Sequence, residues 1–407
     1  MNKHPFNRPT FQEIWSKYFN GSNKSLRFKS IEGVQFYKKG NGTFVNIGKN
    51  ITNGNFYKVN LDENDFRDKT FLIYDVPSYF EIKPHQSNLE VKKIGQYKGF
   101  TSQLSTFENF DAFFNSQFKS KSRYKYRRNV KRLEANFDIT YKIFHNDITR
   151  AEYETLCKFL KKNLERRFAS LGLNNNIVSK WDYYYNLMYK MVLNGEGVMT
   201  AIYNKDLPIG ISFSFLSEPI LLFAITSFDI DYMRYNLGHT TIIKLMKWCF
   251  ENGYDVFDFS KGEYIYKTRW ANHDYNYQCH ILYDSKSLRA LLIANYYEKY
   301  FKLKQYLRDK NVNRLYTKLK FKLKNKQRYR RDTYMINKLE SSFDSNGKTI
   351  INLYEESFVD LRYTLYEYLY LNPERIDEIY CYKDNDTPNT YYAIGTVNKL
   401  MLTKVTN

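Results

Sequence analysis

The stretch of chain between residues 197 and 260 constrains the fold more than any other, because strand-like and helix-like patterns alternate in it. Apolar runs of strand length flank a turn at 204–208, and a glycine-containing turn at 236–240 leads into a helical pattern that Asn252 and Gly253 terminate. The predicted elements are, in chain order, the two strands of a hairpin, a third strand, a helix and a fourth strand: 197–203, 209–216, 220–228, 236–251 and 256–260. A strand–helix–strand connection pairs its two strands in parallel. We therefore expect an α/β (α+β) fold with a mixed central sheet flanked by helices.

Changes in composition divide the rest of the chain. Residues 1–118 mix short strand-like runs with a brief amphipathic helix, and a long helix is expected to begin near Glu108. Basic residues crowd a helical stretch at 286–331, and from Asp332 onward acids outnumber bases. We expect four units: an N-terminal unit at 1–118, a main domain at 119–285, a basic helical arm at 286–331 and a small acidic α/β module at 332–407.

Charge and cysteine content limit the function classes. Lys and Arg number 63 against 43 Asp and Glu, so the net charge is +20 and the partners are expected to be anionic. Hydrophobic residues make up 43% of the chain, which excludes general disorder. The four cysteines show neither C-x-x-C spacing nor a Cys/His cluster, which predicts no metal site and a reducing compartment.

Two cationic stretches each admit a structural and a functional interpretation. The stretch 119–132 is either a solvated helix face or a surface that binds a polyanion. The run 302–331, in which Asp309 is the only acid, is either the outer face of a packed helix or a basic amphipathic helix on an acidic membrane surface. The first residues lack the apolar core of a secretory signal, and no run reaches the roughly 20 apolar residues of a spanning helix. We expect a cytoplasmic protein, peripheral at the inner membrane face if the second interpretation of the run holds.

A strand, a turn with Arg234 and Gly238, and a helix start follow one another between residues 220 and 241. A helix N-terminus presents unpaired N–H groups and the positive end of the helix dipole, which suits a diphosphate. Glycine permits close approach of the backbone, and arginine adds a charge-assisted contact. The turn lacks the G-K-[ST] of a P-loop and the G-x-G-x-x-G of a dinucleotide fingerprint, and many such junctions carry a glycine for geometry alone.

The segment 257–271 is the most specific motif in the chain. It resembles the signature of GNAT-superfamily acetyltransferases of the cellulose- and exopolysaccharide-biosynthesis type (BioF2-like, with a Fem-like paired fold), which runs roughly D-F-x-R-G-D-E-x-Y-K-x-R-[WF]-G. The matching residues are Asp258, Phe259, Gly262, Tyr266, Lys267, Arg269 and Trp270. The departures are Lys261, Glu263, Tyr264 and Ala271. The turn from Asp229 to Gly238 and the cationic stretch at 119–132 also resemble this family, so the similarity covers about residues 110–285 and leaves 332–407 outside.

The resemblance implies a paired GNAT arrangement, with 1–118 as a degenerate first half and 119–285 as the acyl-CoA-binding domain. It also implies direct acyl transfer from acetyl-CoA or another acyl-CoA to an amine or hydroxyl. The diphosphate of CoA would sit on the turn that opens the long helix, and the thioester oxygen would lie against the end of the strand 220–228. The residues of that turn are Arg234, Asn236, Leu237, Gly238, His239 and Thr240.

An ammonium acceptor needs a base, for which a carboxylate is the usual solution. Glu263 is the first candidate and Asp258 the second, and the alternative for both is an ion pair with Lys267 or Arg269. Asp258 lies between two phenylalanines on a strand, so its side chain faces opposite to theirs, and burial of that face would shift its pKa and require a partner. Because Tyr264 replaces an acid of the family, a different base or a different acceptor stays open.

Four further residues are candidates for acceptor binding. Lys267 and Arg269 could hold an anionic acceptor or a CoA phosphate, and Tyr266 and Trp270 could stack on a sugar ring, with simple packing as the alternative for both aromatics. His239 could donate to a phosphate or be an ordinary surface histidine.

Three functions remain in competition. The first is an acyl-CoA-dependent acyltransferase acting on a small-molecule or saccharide acceptor, such as an amino sugar or an envelope polysaccharide precursor. The second is a Fem-type peptidyltransferase with aminoacyl-tRNA as donor, which the cationic stretch 119–132 would suit. The third is a nucleic-acid-binding protein without catalysis, which would bind any polyanion in a salt-sensitive way. The sequence leaves the acceptor, the acyl chain length and the role of 332–407 open.

Overall fold

The computed structural model describes residues 4–21, 25–49, 51–52, 54–60, 62–80, 88–171, 175–310, 312, 331–340 and 343–405. The strands of its large sheet are β1 (Leu26–Phe28), β2 (Ile31–Gly40), β3 (Thr43–Asn46), β4 (Lys58–Val59), β5 (Thr70–Pro77), β6 (Leu89–Gln103), β7 (Ile139–Phe144), β8 (Gly197–Asn204), β9 (Leu207–Ser217), β10 (Ile220–Phe228), β11 (Val256–Lys261) and β12 (His273–Asp284). The helices around it are α1 (Pro9–Phe19), α2 (Phe110–Gln117), α3 (Ser120–Asn136), α4 (Arg150–Leu171), α5 (Trp181–Leu193), α6 (Leu237–Glu251), α7 (Ile265–Trp270) and α8 (Leu288–Asp309).

The large sheet is mixed and runs through both halves of the chain. Its strand order is β1-β2-β3-β5-β12-β6-β11-β10-β9-β8-β7, with β4 paired to β2. The pairs β3/β5 and β10/β11 are parallel and the remaining pairs are antiparallel. β12 lies between β5 and β6, so strands from both sides of residue 118 share one sheet. The expected fold class, a mixed α/β sheet flanked by helices, is confirmed, whereas the proposed domain bounds stay a prediction.

The sheet separates two apolar layers. Successive residues of β10 point to opposite faces, and accordingly Leu222 packs with α1, α4 and α5 while Leu221 packs with α2, α3 and α6. The apolar residues of α4 and α5 recur at three- and four-residue steps, which gives each helix one buried stripe. The crossover β10–α6–β11 therefore lies over one face of the sheet, and its two strands are parallel as the sequence predicted.

The C-terminal residues form a smaller antiparallel sheet and one helix. The elements are β13 (Tyr334–Lys338), β14 (Lys348–Ile350), α9 (Val359–Leu371), β15 (Tyr380–Asp384), β16 (Thr390–Ile394) and β17 (Lys399–Lys404), with the strand order β13-β17-β16-β15-β14. Leu361, Leu365 and Tyr366 of α9 pack against Tyr232 and Tyr235 of the large domain. The predicted small α/β module is present, and it is docked on the main domain through an apolar core.

The structure corrects the sequence prediction in three places. The helix expected from Glu108 onward is two helices, because Phe118 adopts an extended conformation and buries its ring against Trp270, which ends α2. In the unit where short strand-like runs were expected, β6 is 15 residues long because β12 and β11 pair along it up to Gln103. β13 was missed because its residues alternate only weakly between buried and exposed, and β17 was missed although Leu400 and Leu402 are buried at alternate positions.

Within the described residues, no helix combines the length and apolar character that crossing a lipid bilayer requires. α8 packs Ala290, Ala294 and Phe301 against the sheet, which agrees with the packed-helix interpretation for this part of the arm. Most of the run 302–331 lies outside the described residues, so its membrane contact stays a prediction.

Candidate active site

A short turn connects β10 to α6. The Asp229 carboxylate accepts the Asp231 N–H at 3.0 Å at the start of the turn. Asn236 ends it in the left-handed region with φ 56°, a conformation that Asn tolerates better than most residues. α6 therefore begins directly beside the end of β10, where the positive end of its dipole favours an anion.

A buried ion-pair cluster fixes this turn from behind. The Asp231 carboxylate is fully buried and accepts Arg166 Nη2 at 2.6 Å and Arg362 Nη2 at 2.7 Å. Arg166 also donates to Asp229 at 3.0 Å, so α4 and α9 both hold the turn. The sequence analysis missed this cluster because Arg166 and Arg362 lie 65 and 131 positions away from Asp231 and carry no local motif.

The structure brings four of the six predicted CoA-binding residues to the surface at the start of α6. Asn236, Gly238 and His239 are partly exposed and Arg234 is exposed, whereas Leu237 and Thr240 are buried. A Cβ on Gly238 would lie 3.4 Å from the Phe228 ring, an ordinary van der Waals contact, so the packing of the turn does not itself require glycine there. The Arg234 guanidinium lies 4.0 Å from a Glu367 carboxylate oxygen and 5.4 Å from the centre of the Tyr370 ring, which links it to α9.

His239 and Trp270 are joined by a hydrogen bond. The Trp270 Nε1–H donates to His239 Nδ1 at 2.9 Å, which assigns the remaining ring proton to Nε2. Burial, with the charges of Arg269 and Lys125, lowers the pKa of His239 to about 4, so the ring is neutral at pH 7. Trp270 is fully buried among Phe114, Phe118 and Tyr126. The interpretation of Trp270 as a platform for a sugar ring therefore does not fit, because its ring has no face open to a ligand.

β10 and β11 leave an opening between their C-terminal ends. Among the described residues they pair only where Ile220–Leu222 lie opposite Val256–Asp258, although β10 continues to Phe228. On its other side β10 stays paired with β9 along its length, with a bulge between Phe223 and Ile225. The edge of β10 at 223–228 is therefore free of β11, and it opens at the carboxyl ends of two parallel strands, where open α/β sheets usually bind ligands.

Asp258 lies at the base of this opening, and its carboxylate is fully buried. It accepts the Ser260 N–H at 2.6 Å and the Tyr275 hydroxyl at 2.7 Å, and the Tyr275 and Tyr277 hydroxyls lie 2.7 Å apart. Burial raises the pKa of Asp258 to about 6, although its hydrogen bonds and Lys267 favour the charged form. This confirms that the face of the strand opposite the two phenylalanines is buried and partnered. The sequence analysis missed Tyr275 and Tyr277, whose alternation along β12 was the available signal.

Lys267 is also buried and binds backbone carbonyls. Its Nζ donates to the carbonyl of Lys261 at 2.7 Å and to that of Ser260 at 3.4 Å. Burial lowers the pKa of Lys267 to about 8, against the opposing effect of Asp258. In the described residues, Lys267 forms no ion pair with Asp258 within 4.0 Å. Lys267 therefore holds the loop after β11 in shape, and the interpretation as a contact to an anionic acceptor does not fit its burial.

The loop 260–263 after β11 has an unusual backbone. Ser260 has φ 63° and Gly262 has φ 106°, two conformations that ordinary L-residues rarely adopt. The side chain of the neighbouring Lys261 binds residues of the N-terminal unit. Its Nζ donates to Asp75 Oδ1 and to the Thr52 carbonyl, each at 2.9 Å. These contacts turn Glu263 outward, and its side chain is exposed.

Glu263 lines a groove of about 1270 Å³ between this loop, β6 and the C-terminal half of α8. Tyr264 also lines the groove and is 62% exposed. Tyr266 is half-buried and Arg269 is exposed beside Tyr126. Of the two predicted carboxylates, Glu263 is therefore the one that a solvent-borne acceptor reaches, whereas Asp258 lies beneath the loop.

Comparison with known families matches one part of the chain. Residues 120–268 match the family model described as an acetyltransferase (GNAT) domain. The predicted GNAT-type domain is thus confirmed for this part of the chain, and it supports an acyltransferase. No curated protein matches the chain.

Several solved structures are distantly similar. FemX is 12% identical, with a TM-score of 0.46 over 70% of this chain and 93% of that chain. The C-terminal domain (DUF2156) of a putative lysylphosphatidylglycerol synthetase from Agrobacterium fabrum is 9% identical, with a TM-score of 0.43 over 70% and 90%. A tandem GNAT protein from the clavulanic acid biosynthesis pathway is 7% identical, with a TM-score of 0.32 over 68% and 94%. Similarity at this level says nothing about the reaction.

Proposed function

We propose that the protein is an acyl-CoA-dependent acyltransferase that transfers an acyl group, such as acetyl, directly to an amine or hydroxyl of a small-molecule or saccharide acceptor. An amino sugar or an envelope polysaccharide precursor is the acceptor class we favour. The observation that carries the proposal is the opening between β10 and β11 beside the start of α6, which lies inside the region matched by the GNAT family.

In this proposal the diphosphate of CoA binds at the start of α6. Gly238 allows the backbone to approach, and the neutral His239 keeps a donor at Nε2. Arg234 lies within reach of the same surface and adds a positive charge. The remaining length of the acyl-CoA runs along the edge of β10 at 223–228, where the backbone groups can hydrogen-bond to it.

The acceptor attacks the thioester carbonyl from the groove. Its amine nitrogen forms a bond to the carbonyl carbon and loses a proton to Glu263, directly or through one water. The tetrahedral intermediate then expels the CoA thiolate, which takes up a proton. Asp258 is a positioning residue in this scheme, because its buried carboxylate holds the Ser260 N–H and so fixes the loop that presents Glu263.

The test is a thermal-shift titration with CoA and acetyl-CoA. A ligand at about 100 times its Kd stabilises a protein by about 2.7 kcal/mol, which is readily measured. We expect Arg234→Ala to reduce the shift and Gly238→Trp to abolish it. Glu367→Gln is the matched control, because it breaks the same Arg234 contact but keeps the cation, and it should retain the shift. A wild-type protein that shows no shift at millimolar CoA would contradict the proposal.

A second donor, aminoacyl-tRNA, is favoured by one observation. Along α3, Lys121, Lys125, Arg127 and Lys131 are all exposed and form a cationic surface. The two donors are distinguished by supplying labelled acetyl-CoA or aminoacyl-tRNA and measuring transfer. Binding of tRNA without transfer, and with the same affinity as any other polyanion, would instead favour a nucleic-acid-binding protein.

A further inference from the structure

The groove beside Glu263 has a chemical character that the acyl-CoA site does not explain. Its floor and one wall come from β6, which contributes Gln96, Tyr97 and Lys98, and the opposite wall comes from α8, which contributes Lys304 and Arg308. The groove lies next to the loop that presents Glu263. A molecule bound there would be adjacent to the carboxylate that accepts the proton in the proposed reaction.

Three cations, Lys98, Lys304 and Arg308, line the groove together with two carboxylates, Glu263 and Asp309. In the described part of the chain, neither Lys98 nor Lys304 has a carboxylate within 4.0 Å. Arg308 is held in place, because its guanidinium stacks 3.8 Å from the centre of the Tyr97 ring and donates to the Gln96 carbonyl. Two free ammonium groups beside a fixed guanidinium form a site for a compact, highly charged anion.

The groove also holds an unused hydrogen-bond acceptor. Gln96 is 9% exposed, and its Oε1 has no hydrogen-bond partner among the described residues. A buried acceptor without a partner costs free energy, so it marks a place where a donor belongs. Its Oε1 is closed to solvent, so a hydroxyl or amine of a ligand would satisfy it after the Gln96 side chain rotates toward the groove.

We infer that this groove is the acceptor site and that it takes an acceptor carrying a phosphate group together with hydroxyl or amine donors. The phosphate lies between Lys98, Lys304 and Arg308, and a donor group reaches Gln96 Oε1. The inference rests on the proposed function for the reaction, but the ligand class rests on the groove alone. The phosphate can belong to a soluble sugar phosphate or to the headgroup of a phospholipid.

The soluble arm of the test measures binding of glucosamine 6-phosphate and of glucosamine by calorimetry. We expect the phosphate to improve affinity at least about tenfold, and the double variant Lys98→Gln, Lys304→Gln to remove that gain. Lys299→Gln is the matched control, because Lys299 is exposed on α8 and does not line the groove. Gly95→Phe is a steric variant: Gly95 lines the groove and a Cβ there meets nothing within 4 Å, so we expect the added side chain to weaken binding of glucosamine 6-phosphate.

The lipid arm measures co-sedimentation with vesicles of phosphatidylglycerol, whose phosphate is the only charge of the headgroup, and of phosphatidylcholine, whose choline cation offsets the phosphate charge. Capture by phosphatidylglycerol alone, lost in the double variant and kept in Lys299→Gln, identifies the headgroup as the source of the phosphate. Phosphate selectivity in the soluble arm alone identifies a soluble acceptor. The inference is overturned if neither arm shows a phosphate preference, or if the double variant binds as the wild type does.

The CoA titration separates this inference from the proposed function. The double variant should keep the full CoA shift, and its loss would make the groove a CoA phosphate site, which overturns the inference. A wild-type protein that binds glucosamine 6-phosphate selectively but shows no CoA shift overturns the acyl-CoA reaction and supports the ligand class of the groove.

Discussion

The turn after β10 and the loop after β11 occupy equivalent positions, at the carboxyl ends of neighbouring parallel strands, yet they are built in opposite ways. In the turn, the carboxylate of Asp231 meets three arginines, Arg166, Arg362 and Arg331, and the tyrosines on either side are buried under α9. In the loop, the carboxylate of Asp258 accepts hydrogen bonds from the Ser260 N–H and the Tyr275 hydroxyl instead, and the backbone bends through two left-handed residues toward an open groove.

The difference separates two tasks. The turn is enclosed by ion pairs and aromatic packing, which suits a surface that holds a ligand of fixed shape. The loop keeps a buried acid with a pKa of about 6 and a buried amine with a pKa of about 8, both near neutrality. Groups with such shifted pKa values cluster at sites of chemistry.

The largest effect on the unfolding free energy is expected from breaking the buried ion pairs of Asp231 in the turn after β10. Asp231→Asn leaves Arg362 buried without a carboxylate and Arg166 with Asp229 alone, and breaking a buried pair in this way costs about 3–5 kcal/mol. Chemical denaturation should show that loss, and hydrogen exchange should rise in α9. Glu356→Gln is the control, since Glu356 pairs with Lys162 on the surface and should leave stability unchanged. A stable variant with a protected α9 would mean that apolar packing alone docks the module.

The next effect concerns the acid beneath the loop. The pKa of Asp258 is about 6 in the folded chain against an ordinary value of 3.8, so between these values the folded protein binds a proton that the unfolded chain releases. The unfolding free energy therefore falls as the pH rises through this window, by about 3 kcal/mol in total. The side chain of Asp258→Asn does not titrate. The unfolding free energy of this variant minus that of the wild type should therefore rise by about 3 kcal/mol between about pH 4 and pH 7.

The measurement is urea denaturation of both proteins at several pH values. Asp274→Asn on the exposed part of β12 is the control and should follow the wild type. If the unfolding free energies of Asp258→Asn and the wild type differed by the same amount at every pH, the pKa of Asp258 would not be raised in the folded chain. Asp258 would then be an ionised buried carboxylate, as Asp231 is in the turn.

The smallest effect in free energy, and the most direct test of the loop, is the loss of its exposed carboxylate. Glu263→Gln should lower turnover by about 100-fold, because a positioned general base contributes at least that factor. The variant should fold and bind CoA normally, since Glu263 is exposed. Glu251→Gln at the end of α6 is a matched exposed control. Unchanged turnover in Glu263→Gln would leave the loop without a catalytic group.

The local patterns of the sequence were sufficient for the parts of the fold that depend on neighbours in the chain. The hairpin of β8 and β9 and the crossover β10–α6–β11 follow from alternation, turn residues and helix stops, and each lies close to its predicted bounds. Alternation with two phenylalanines placed Asp258 on the opposite face of its strand but left the burial of that face open, and the structure shows that Asp258 is buried.

Contacts between distant segments could not be read in the same way. The pairing of Lys261 with Asp75 joins residues 186 positions apart, and that of Arg362 with Asp231 spans 131. Neither pair carries a periodic signal in the sequence. For the same reason Lys267 and Trp270 were predicted to bind the acceptor, whereas packing between distant segments buries both side chains. The groove likewise depends on α8 crossing β6, which no local motif encodes.

The insertion of β12 between β5 and β6 has a consequence for synthesis on the ribosome. The two flanking strands are complete by Gln103, but the strand that joins them begins about 170 residues later, at His273. At about 5–20 residues per second, a nascent chain spends roughly 10 s or more with these strand edges unpaired. Such edges are templates for association with other chains, so a chain released before His273 should aggregate and require a chaperone to remain in solution.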